Sequence, residues 1–231
     1  MTIAADLRRE VLDANLALPA HGLVKLTWGN VSGIDRARGA IAIKASGVRY
    51  EQMGIDDMVL VDLYSGEVID GDRRPSTDTP THLVLYRAFA HVGGIVHTHS
   101  TWATAWAQAE RAIPLLGTTH ADLSSAAIPV TRPLTPQEVD AEYEGATGDA
   151  LVELVGGREA DLPCALVRGH GPFCWGKSAE EAAYHAVIVE ELAAMAWLAV
   201  SLNPAAAPIA DALRDKHYFR KHGDKASYGQ R

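Results

Sequence analysis

The sequence predicts one α/β domain of the α+β type, with a central, mostly antiparallel sheet flanked by helices. Short β-prone runs separated by glycine and aspartate turns follow one another between residues 31 and 69, as in meandering strands. Farther along, apolar strand-like runs alternate with helical patterns. No fixed-period repeat, low-complexity tract or linker interrupts residues 1–231, so we assign the whole chain to one domain.

The N-terminal half begins with a helix and continues in strands. Apolar residues between Leu7 and Leu18 recur on one helical face, and Pro19 with Gly22 ends this helix. The following predicted elements are strands at 31–34, 40–43 and 58–63, a helix at 80–90, a strand at 94–99 and a helix at 100–109.

The C-terminal half contains a helix with a strong start signal. Thr135, Pro136 and Glu138 predict a capped helix that runs to about residue 155. The remaining predicted elements are a buried strand at 164–167, a glycine-rich turn at 168–172, a long helix at 178–202 capped by Ser178, and a tail that is helical and then basic after residue 208.

The composition is that of a globular protein able to bury a sizeable core. Of its 231 residues, 48% are hydrophobic and 22% are charged, which excludes a disordered or fibrous chain. A net charge of −8 argues against a nucleic-acid partner. The longest uninterrupted apolar stretch, residues 192–200, is far shorter than the roughly 20 residues of a membrane span. The N-terminus shows no signal-peptide pattern, so we expect a cytoplasmic protein without a membrane partner.

The two cysteines predict no disulfide. Cys164 lies in an apolar strand-like run and Cys174 in a Gly/Pro-rich turn. Because thiols stay reduced in the cytoplasm, we interpret both as small buried side chains.

The sharpest chemical feature is the sequence His97-Thr98-His99 at the end of a predicted strand. Side chains at i and i+2 of a strand project from the same face, so both imidazoles are able to reach one metal ion. His170 is the candidate third ligand, because its flanking glycines let the backbone approach a site closely. Three histidines leave one position of a zinc ion open, as in catalytic sites. Taken singly, either feature also arises by chance or as an ordinary turn histidine.

Three small-residue loops, at 28–33, 44–47 and 75–79, are candidates for binding phosphate. They combine backbone N–H groups next to glycine with hydroxyl and amide donors, which suit phosphate oxygens. Turns are built from the same residue types, so no loop is specific by itself. The sequence has no Walker loop and no GxGxxG motif, which argues against a nucleotide.

Two residues are candidate proton donors and acceptors. Asp122 follows His120 by two residues, and Tyr228 lies near the C-terminus. A carboxylate and a phenol shuttle protons where a site adjusts their pKa values. Taken alone, neither is singled out, since a terminal tyrosine is more often a surface residue.

Together these segments resemble the class II aldolase/adducin-head family over nearly the whole chain, from Leu7 to Gln230. Each motif is weak alone, whereas the ordered set is highly specific. The motifs are LTWGNVS (26–32), KASGV (44–48), PSTDTPTH (75–82), GIVHTHS (94–100), GTTHAD (117–122), GHGPF (169–173) and KHYFRKHG (216–223).

The resemblance implies a zinc-dependent retro-aldol epimerisation that inverts C4 of L-ribulose 5-phosphate to give D-xylulose 5-phosphate, in pentose and arabinose catabolism. Asp122 and Tyr228 then correspond to the proton donor and acceptor, and the tail 209–231 contributes to the active site. Related members are cyclic homotetramers with active sites between subunits, and the resemblance implies the same assembly here. It also implies one Zn²⁺, or another divalent metal, per subunit. By the same resemblance the metal residues are Asp78, His97, His99 and His170, and the substrate and phosphate contacts are Gly29, Asn30, Ser46, Gly47, Ser76 and Thr77, with Lys44 beside them.

Three positions bear on substrate detail within this resemblance. Asp78 stands where the related aldolases carry Glu, and its shorter side chain points to the epimerase branch. Residues 123–126 replace a usual aromatic and glycine segment, and Arg168-Gly169 replaces a usual His-Ser pair.

Three other interpretations stay open at this point. A class II aldolase would release a free aldehyde from a related substrate such as L-fuculose or L-rhamnulose 1-phosphate. A Schiff-base aldolase would use a desolvated Lys44 and leave the three histidines without a role. An adducin-like interaction module would need no zinc ligands, whereas this sequence has the full set.

Overall fold

The computed structural model describes residues 3–222 and 226–227, with side chains of the first helix described from Ala5 onward. The described residues form one seven-stranded sheet and seven α-helices. The strands are β1 (Asn30–Asp35), β2 (Ala40–Lys44), β3 (Met58–Asp62), β4 (Val68–Asp70), β5 (Gly94–His97), β6 (Cys164–Val167) and β7 (Gly171–Gly176). The helices are α1 (Ile3–Ala20), α2 (Thr79–Ala88), α3 (Thr101–Gln108), α4 (Thr118–Ala121), α5 (Pro136–Val155), α6 (Ala179–Leu202) and α7 (Asp211–Lys221).

The strands lie in the order β4-β3-β2-β1-β5-β7-β6. Each neighbouring pair is antiparallel, which confirms the predicted antiparallel sheet. The first four strands meander in chain order, as the turn signals predicted. β5 then pairs with β1, and the β6–β7 hairpin extends the sheet beyond it.

Helices cover both faces of the sheet, and successive residues of a strand therefore enter different cores. In β2, Ile41 and Ile43 pack with α2 and α5, whereas Ala42 packs with α1 and α6. In β5, Ile95 and Val96 divide in the same way. Strands covered on both faces read as continuous apolar runs, which explains the runs seen in the sequence. The result is a three-layer arrangement of helices, sheet and helices.

The predicted helix caps are present. The Thr135 hydroxyl accepts a hydrogen bond from the Glu138 N–H (3.2 Å), and the Glu138 carboxylate accepts one from the Thr135 N–H (2.7 Å). The Ser178 hydroxyl accepts a hydrogen bond from the Glu181 N–H at 3.1 Å and begins α6.

Two predictions at the end of the sheet are wrong. Cys174 does not lie in a turn: it is buried in β7, directly opposite Cys164 of β6, and both thiols are free. The Gly-Pro pair at the start of β7 is typical of a turn, so the sequence did not indicate a strand there. Pro172 is tolerated because β5 ends at His97, opposite Phe173, so the missing N–H breaks no bond of that pair. The strand predicted at 94–99 therefore ends two residues early, before His99.

Helix α6 is long and apolar enough to cross a membrane by length and composition alone, with a mean hydropathy of 1.5 over its best window. The sequence did not indicate an apolar helix of this length, because polar residues interrupt its apolar run. The helix packs on β7, β5, α1 and α3, and its buried residues belong to one of the two cores. These contacts identify α6 as a core helix of this fold.

The antiparallel order brings chemically active segments to one edge of the sheet. β1 begins where β5 and β2 end, and β7 begins beside the end of β5. Asn30 is the direct neighbour of His97 across β1 and β5. The N-terminus of α2, which carries Asp78, lies against this edge, since Asp78 bonds Asn30.

Candidate metal centre and active site

Three histidines converge at this edge of the sheet. The Nε2 atom of His99 lies 3.1 Å from Nε2 of His97 and 3.0 Å from Nε2 of His170. Their possible ligand atoms all lie within 4.8 Å of one another. His99 reaches the cluster although it follows the end of β5. The structure thus brings together the three residues that the sequence put forward as metal ligands.

The His97 ring is fixed by the neighbouring strand. Its Nδ1 lies 3.0 Å from the Pro172 carbonyl, which only an N–H is able to approach as a hydrogen-bond partner. Its ring stacks on Phe173 at 4.2 Å between centroids. Burial lowers the pKa of His97 to about 3, so the ring is neutral, with the proton on Nδ1 and a lone pair on Nε2.

His170 lies on the turn between β6 and β7. Its backbone N–H donates to the Val167 carbonyl at 3.0 Å, and its Nδ1 lies 3.1 Å from the Tyr143 hydroxyl. The next residue must be glycine, since a Cβ on Gly171 would stand 2.6 Å from the Thr98 carbonyl oxygen. The turn therefore presses closely against the segment that carries the other two histidines.

The cluster suits a bound cation. With Nδ1 of His97 protonated, its Nε2 lone pair faces Nε2 of His99, which also faces Nε2 of His170, and a single N–H on His99 is unable to satisfy both neighbours. A metal bound at about 2.0–2.1 Å from each nitrogen would set ligand atoms about 3.3 Å apart, close to the separations found. A neutral three-histidine set is typical of catalytic zinc and of related divalent metals.

Asp78 lies at the edge of this cluster. Its carboxylate accepts a hydrogen bond from the Asn30 amide at 2.7 Å and a longer one from the Ser76 hydroxyl at 3.4 Å. Burial acts to raise the pKa of Asp78, but His97 and His82 nearby and the Asn30 bond outweigh it, so the pKa is lowered. The negatively charged carboxylate is suited either to bind a metal directly or to lie beside the positive charge of a bound metal.

One cavity of about 420 Å³ joins the histidines to the candidate phosphate loops. The loops are held together by backbone bonds: Ser46 N–H donates to Arg74 and Ser76 N–H donates to the Lys44 carbonyl, both at 2.9 Å. Gly29 touches the site so closely that a Cβ there would stand 2.9 Å from the His97 carbonyl oxygen. The predicted residues that line this cavity are Gly29, Asn30, Lys44, Ser46, Gly47, Ser76, Thr77, Asp78, His97, His99 and His170.

Lys44 is buried beneath the cavity and is 2% exposed. Burial lowers its pKa, while Asp57 and Asp78 act in the opposite direction. Its ammonium donates to the carbonyls of Thr27 and Ala45, both at 3.3 Å. The site therefore holds one buried cationic group beside its hydroxyl-rich loops.

Four lining residues were not predicted: Thr27, Trp28, Tyr143 and Glu144. Thr27 and Trp28 lie inside a motif quoted above, next to Gly29, so their position had a sequence signal. Tyr143 and Glu144 lie inside α5 and reach the cavity because the helix breaks at Glu142 (φ −157°, ψ 78°). The local sequence signals this break only weakly: glutamate is a good helix former, but two poor helix formers, Gly145 and Gly148, follow it closely.

Of the two predicted proton-transfer residues, the structure describes only Asp122, and Asp122 stands apart from this cavity. Asp122 accepts hydrogen bonds from Arg220 (2.7 and 3.1 Å) and from His217 (3.2 Å), and so fastens α7 to α4. Burial acts to raise the pKa of Asp122, but the bonds from Arg220 and His217 lower it overall. Asp122 is not among the cavity-lining residues, and Tyr228 lies outside the described residues.

The two departures from the expected motifs also point away from the cavity. Leu123 is buried, 5% exposed, and packs in the same core as α6. Arg168 forms an ion pair with Glu110 at the surface. Neither residue lines the cavity.

The family described as Class II Aldolase and Adducin N-terminal domain matches residues 9–197. This chain belongs to that family. The match covers the sheet and the three histidines, together with every predicted cavity residue. It confirms the resemblance seen in the sequence motifs.

Curated relatives give a narrower comparison. The L-ribulose-5-phosphate 4-epimerase UlaF of Salmonella paratyphi C (strain RKS4594) is 55% identical over 226 residues, covering 97% of this chain and 99% of the relative. The protein of the same name from Salmonella typhi has the same identity and coverage. Both relatives bear the name of an isomerase.

Solved structures share the fold at lower identity. An L-fuculose 1-phosphate aldolase superposes with a TM-score of 0.79 at 23% identity, covering 93% of this chain and 95% of that chain. The L-fuculose-1-phosphate aldolase of Thermus thermophilus superposes with a TM-score of 0.66 at 27% identity, covering 89% and 100%. The predicted α+β architecture is thus that of class II aldolases.

Proposed function

We propose that this class II aldolase-family protein is a metal-dependent epimerase that interconverts L-ribulose 5-phosphate and D-xylulose 5-phosphate by breaking and remaking the C3–C4 bond. The observation that carries the proposal is one cavity shared by three convergent histidines and two hydroxyl-rich loops. The 55% identity to relatives named for this activity supports the choice of substrate.

His97, His99 and His170 would hold the metal, with Asp78 beside them, and zinc is the metal we propose. A divalent cation there would polarise the substrate carbonyl and stabilise the negative charge left when the carbon–carbon bond breaks. The protein positions its ligands in advance, since Pro172 orients His97 and Asn30 orients Asp78.

The loops would bind the phosphate of the substrate. Ser46, Ser76 and Thr77 offer hydroxyl groups, Gly47 exposes backbone, and Asn30 offers an amide. During epimerisation the phosphate-bearing fragment is detached and must turn its other face before the bond is remade. A tight grip on that phosphate distinguishes an epimerase from an aldolase, which releases the aldehyde.

Inversion requires one proton-transfer group on each face of the substrate, and we propose Asp122 and Tyr228 for these roles. Asp122 does not line the cavity of its own chain. We therefore propose that active sites form between subunits of a homotetramer, where Asp122 and the tail 209–231 of one subunit complete the cavity of another. Exposed apolar side chains on α6, among them Trp197 and Leu198, support self-association.

We also propose a cytoplasmic location, supported by the relatives, which are named as enzymes of a phosphorylated sugar.

The test is a ¹³C NMR time course of the zinc-loaded protein with L-ribulose 5-phosphate, with a chelator added midway and zinc restored afterwards. We expect D-xylulose 5-phosphate to grow in, to stop with the chelator and to resume with zinc. Accumulation of a free aldehyde would identify an aldolase instead. Turnover that resists the chelator would favour imine chemistry at the buried Lys44. An unchanged spectrum would overturn the proposal.

A further inference from the structure

The three histidines of the cluster are not supported equally. His97 is the last residue of β5, bonded to Pro172 and stacked on Phe173. His170 lies on a turn between two glycines, and Gly169 adopts a left-handed φ of 70° with open space around it. A side chain on such a turn needs a partner outside the turn to keep its ring in one orientation.

Tyr143 is that partner, and it reaches His170 because helix α5 is broken at the preceding residue. The break at Glu142 carries the Tyr143 hydroxyl to 3.1 Å from Nδ1 of His170. The segment beyond the break is anchored: Thr147 donates its hydroxyl to the Tyr143 carbonyl at 2.8 Å. Thr81 of α2 donates its hydroxyl to the Glu144 carbonyl at 2.6 Å. The backbone that carries the Tyr143 side chain is therefore held by bonds within α5 and from α2.

The direction of the hydrogen bond decides what His170 is able to bind. If the Tyr143 oxygen accepts from Nδ1–H, the Nε2 atom carries a free lone pair and faces Nε2 of His99 at 3.0 Å. The opposite tautomer would place a proton on Nε2 and block it as a ligand. Metal-binding histidines commonly donate the other ring N–H to an oxygen in this way.

We propose that Tyr143 is a positioning residue that sets the tautomer and ring orientation of His170 for metal binding. This inference rests on the metal site of the proposed function and goes beyond it. It assigns to α5 the support that β7 gives to His97.

The test is metal affinity rather than turnover. In Tyr143→Phe the ring remains and the hydroxyl is lost, and we expect the affinity for Zn²⁺ to fall about 10–100-fold in competition with a chromophoric chelator. The visible spectrum of the Co²⁺-loaded variant should change in band position or intensity. Turnover should recover at saturating metal, with the KM for substrate unchanged.

Two matched variants separate the outcomes. Tyr184→Phe removes the hydroxyl of a tyrosine on α6 that is 58% exposed as a residue, and this variant should bind metal as the unmodified protein does. His170→Asn removes the ligand itself and should lose more affinity than Tyr143→Phe. Equal thermal unfolding of metal-free Tyr143→Phe and the unmodified chain would show that the loss is not general unfolding.

The failures are distinguishable. If His170→Asn loses metal while Tyr143→Phe keeps normal affinity and a normal Co²⁺ spectrum, the positioning role is wrong and the metal site stands. If Tyr143→Phe binds metal normally but does not turn over at saturating metal, the hydroxyl acts on substrate and the inference is overturned. If His170→Asn keeps full affinity, both the inference and the proposed metal site fail. If metal binding follows the expectation but no epimerisation occurs, only the proposed function fails.

Discussion

His97 and His99 could be found from sequence because i and i+2 spacing is a local property of an extended chain. The same reasoning could not find Tyr143, whose position depends on a helix break that the sequence signals only weakly, through Gly145 and Gly148. It also could not place Asp122, because the partners of its carboxylate lie about a hundred residues away on α7. Functional residues that lie close together in the sequence can thus be recognised from it, whereas partners that lie far apart in the sequence cannot.

Gly29 illustrates a residue required for its lack of a side chain. Its φ is 78°, and a Cβ would stand 2.9 Å from the His97 carbonyl oxygen and from a Val24 methyl. We expect Gly29→Ala to lose more than the roughly 1–2 kcal/mol of left-handed strain alone, and to lower metal affinity by displacing His97. Urea unfolding and metal competition measure the two effects.

Gly22→Ala is the matched control for this prediction. Its φ is 71°, but a Cβ there meets nothing within 4 Å, so it isolates the strain from the contact. Equal losses of unfolding free energy in the two variants would show that the close approach to His97 does not contribute to the loss.

Tyr228 is the proposed proton-transfer group nearest the C-terminus. We expect Tyr228→Phe to keep a normal zinc content and normal unfolding, and to lose turnover by about 10²–10⁴-fold, since it removes only the phenolic hydroxyl that carries the transferable proton. Metal analysis, circular dichroism and the NMR assay measure these three properties. An unaffected rate would remove Tyr228 from the mechanism.

At the scale of elements, the capped helices and the meander were predictable because their signals are contiguous in the chain. β7 was not, since Gly171 and Pro172 are typical turn residues and only pairing with β5 and β6 makes them a strand. The helix predicted at 100–109 is present as α3, but what caps its start was not predictable. Glu190 of α6 accepts hydrogen bonds from the N–H groups of Trp102 (2.8 Å) and Ala103 (2.9 Å), a cap supplied from another helix.

Glu190→Ala should therefore disturb the metal centre from a distance. It leaves two N–H groups unpaired at the start of α3, immediately after His99 and Ser100, and we expect a loss of about 1–3 kcal/mol in unfolding free energy. A several-fold lower Zn²⁺ affinity should accompany it. Urea unfolding and chelator competition provide the measurements.

Glu191→Ala removes an exposed carboxylate from the next position of the same helix and serves as the control. If both variants behave alike, the cap supplied by Glu190 is not what fixes the start of α3.

At the scale of the molecule, the sheet and its flanking helices followed from the sequence, because continuous apolar runs indicate strands buried on both faces and helical spacing of apolar residues indicates helices. The separation of Asp122 from the histidine cavity did not follow, since it depends on where α4 and α7 lie in the finished fold. That separation makes the proposal of shared active sites testable.

Mixed oligomers should regain activity. His97→Asn and Asp122→Asn are each expected to be inactive, but subunits mixed after mild dissociation would form some sites with an intact histidine cluster from one chain and Asp122 from another. We expect measurable epimerisation only after mixing. Mixing two preparations of the same variant is the control, and inactivity of verified mixed oligomers would contradict sites shared between subunits.

Stability should fall in mild acid. Burial lowers the pKa of His82 to about 4, of His97 to about 3 and of His120 to about 4. Below the ordinary histidine pKa of 6.5, these three side chains bind protons in the unfolded chain but not in the folded chain. Their contribution to the free energy of unfolding is therefore complete above pH 6.5 and is lost as the pH falls towards about 4. Each histidine contributes a slope of up to about 1.4 kcal/mol per pH unit.

Urea midpoints of the metal-free protein across this range measure the slope. His120→Asn, which removes one of the three buried histidines, should flatten it. A free energy of unfolding that stays constant between pH 6.5 and about 4 would contradict the prediction.

The supports of the metal centre come from segments that are synthesised at very different times. The partner of His97 lies 75 residues later in the chain, and His170 follows His99 by 71 residues. A nascent chain that ends with β6 holds only two of the three histidines and lacks the Pro172 carbonyl that orients His97. A metal held by all three histidines would therefore require the turn between β6 and β7 to have been made, and its binding would report that these two strands are in place.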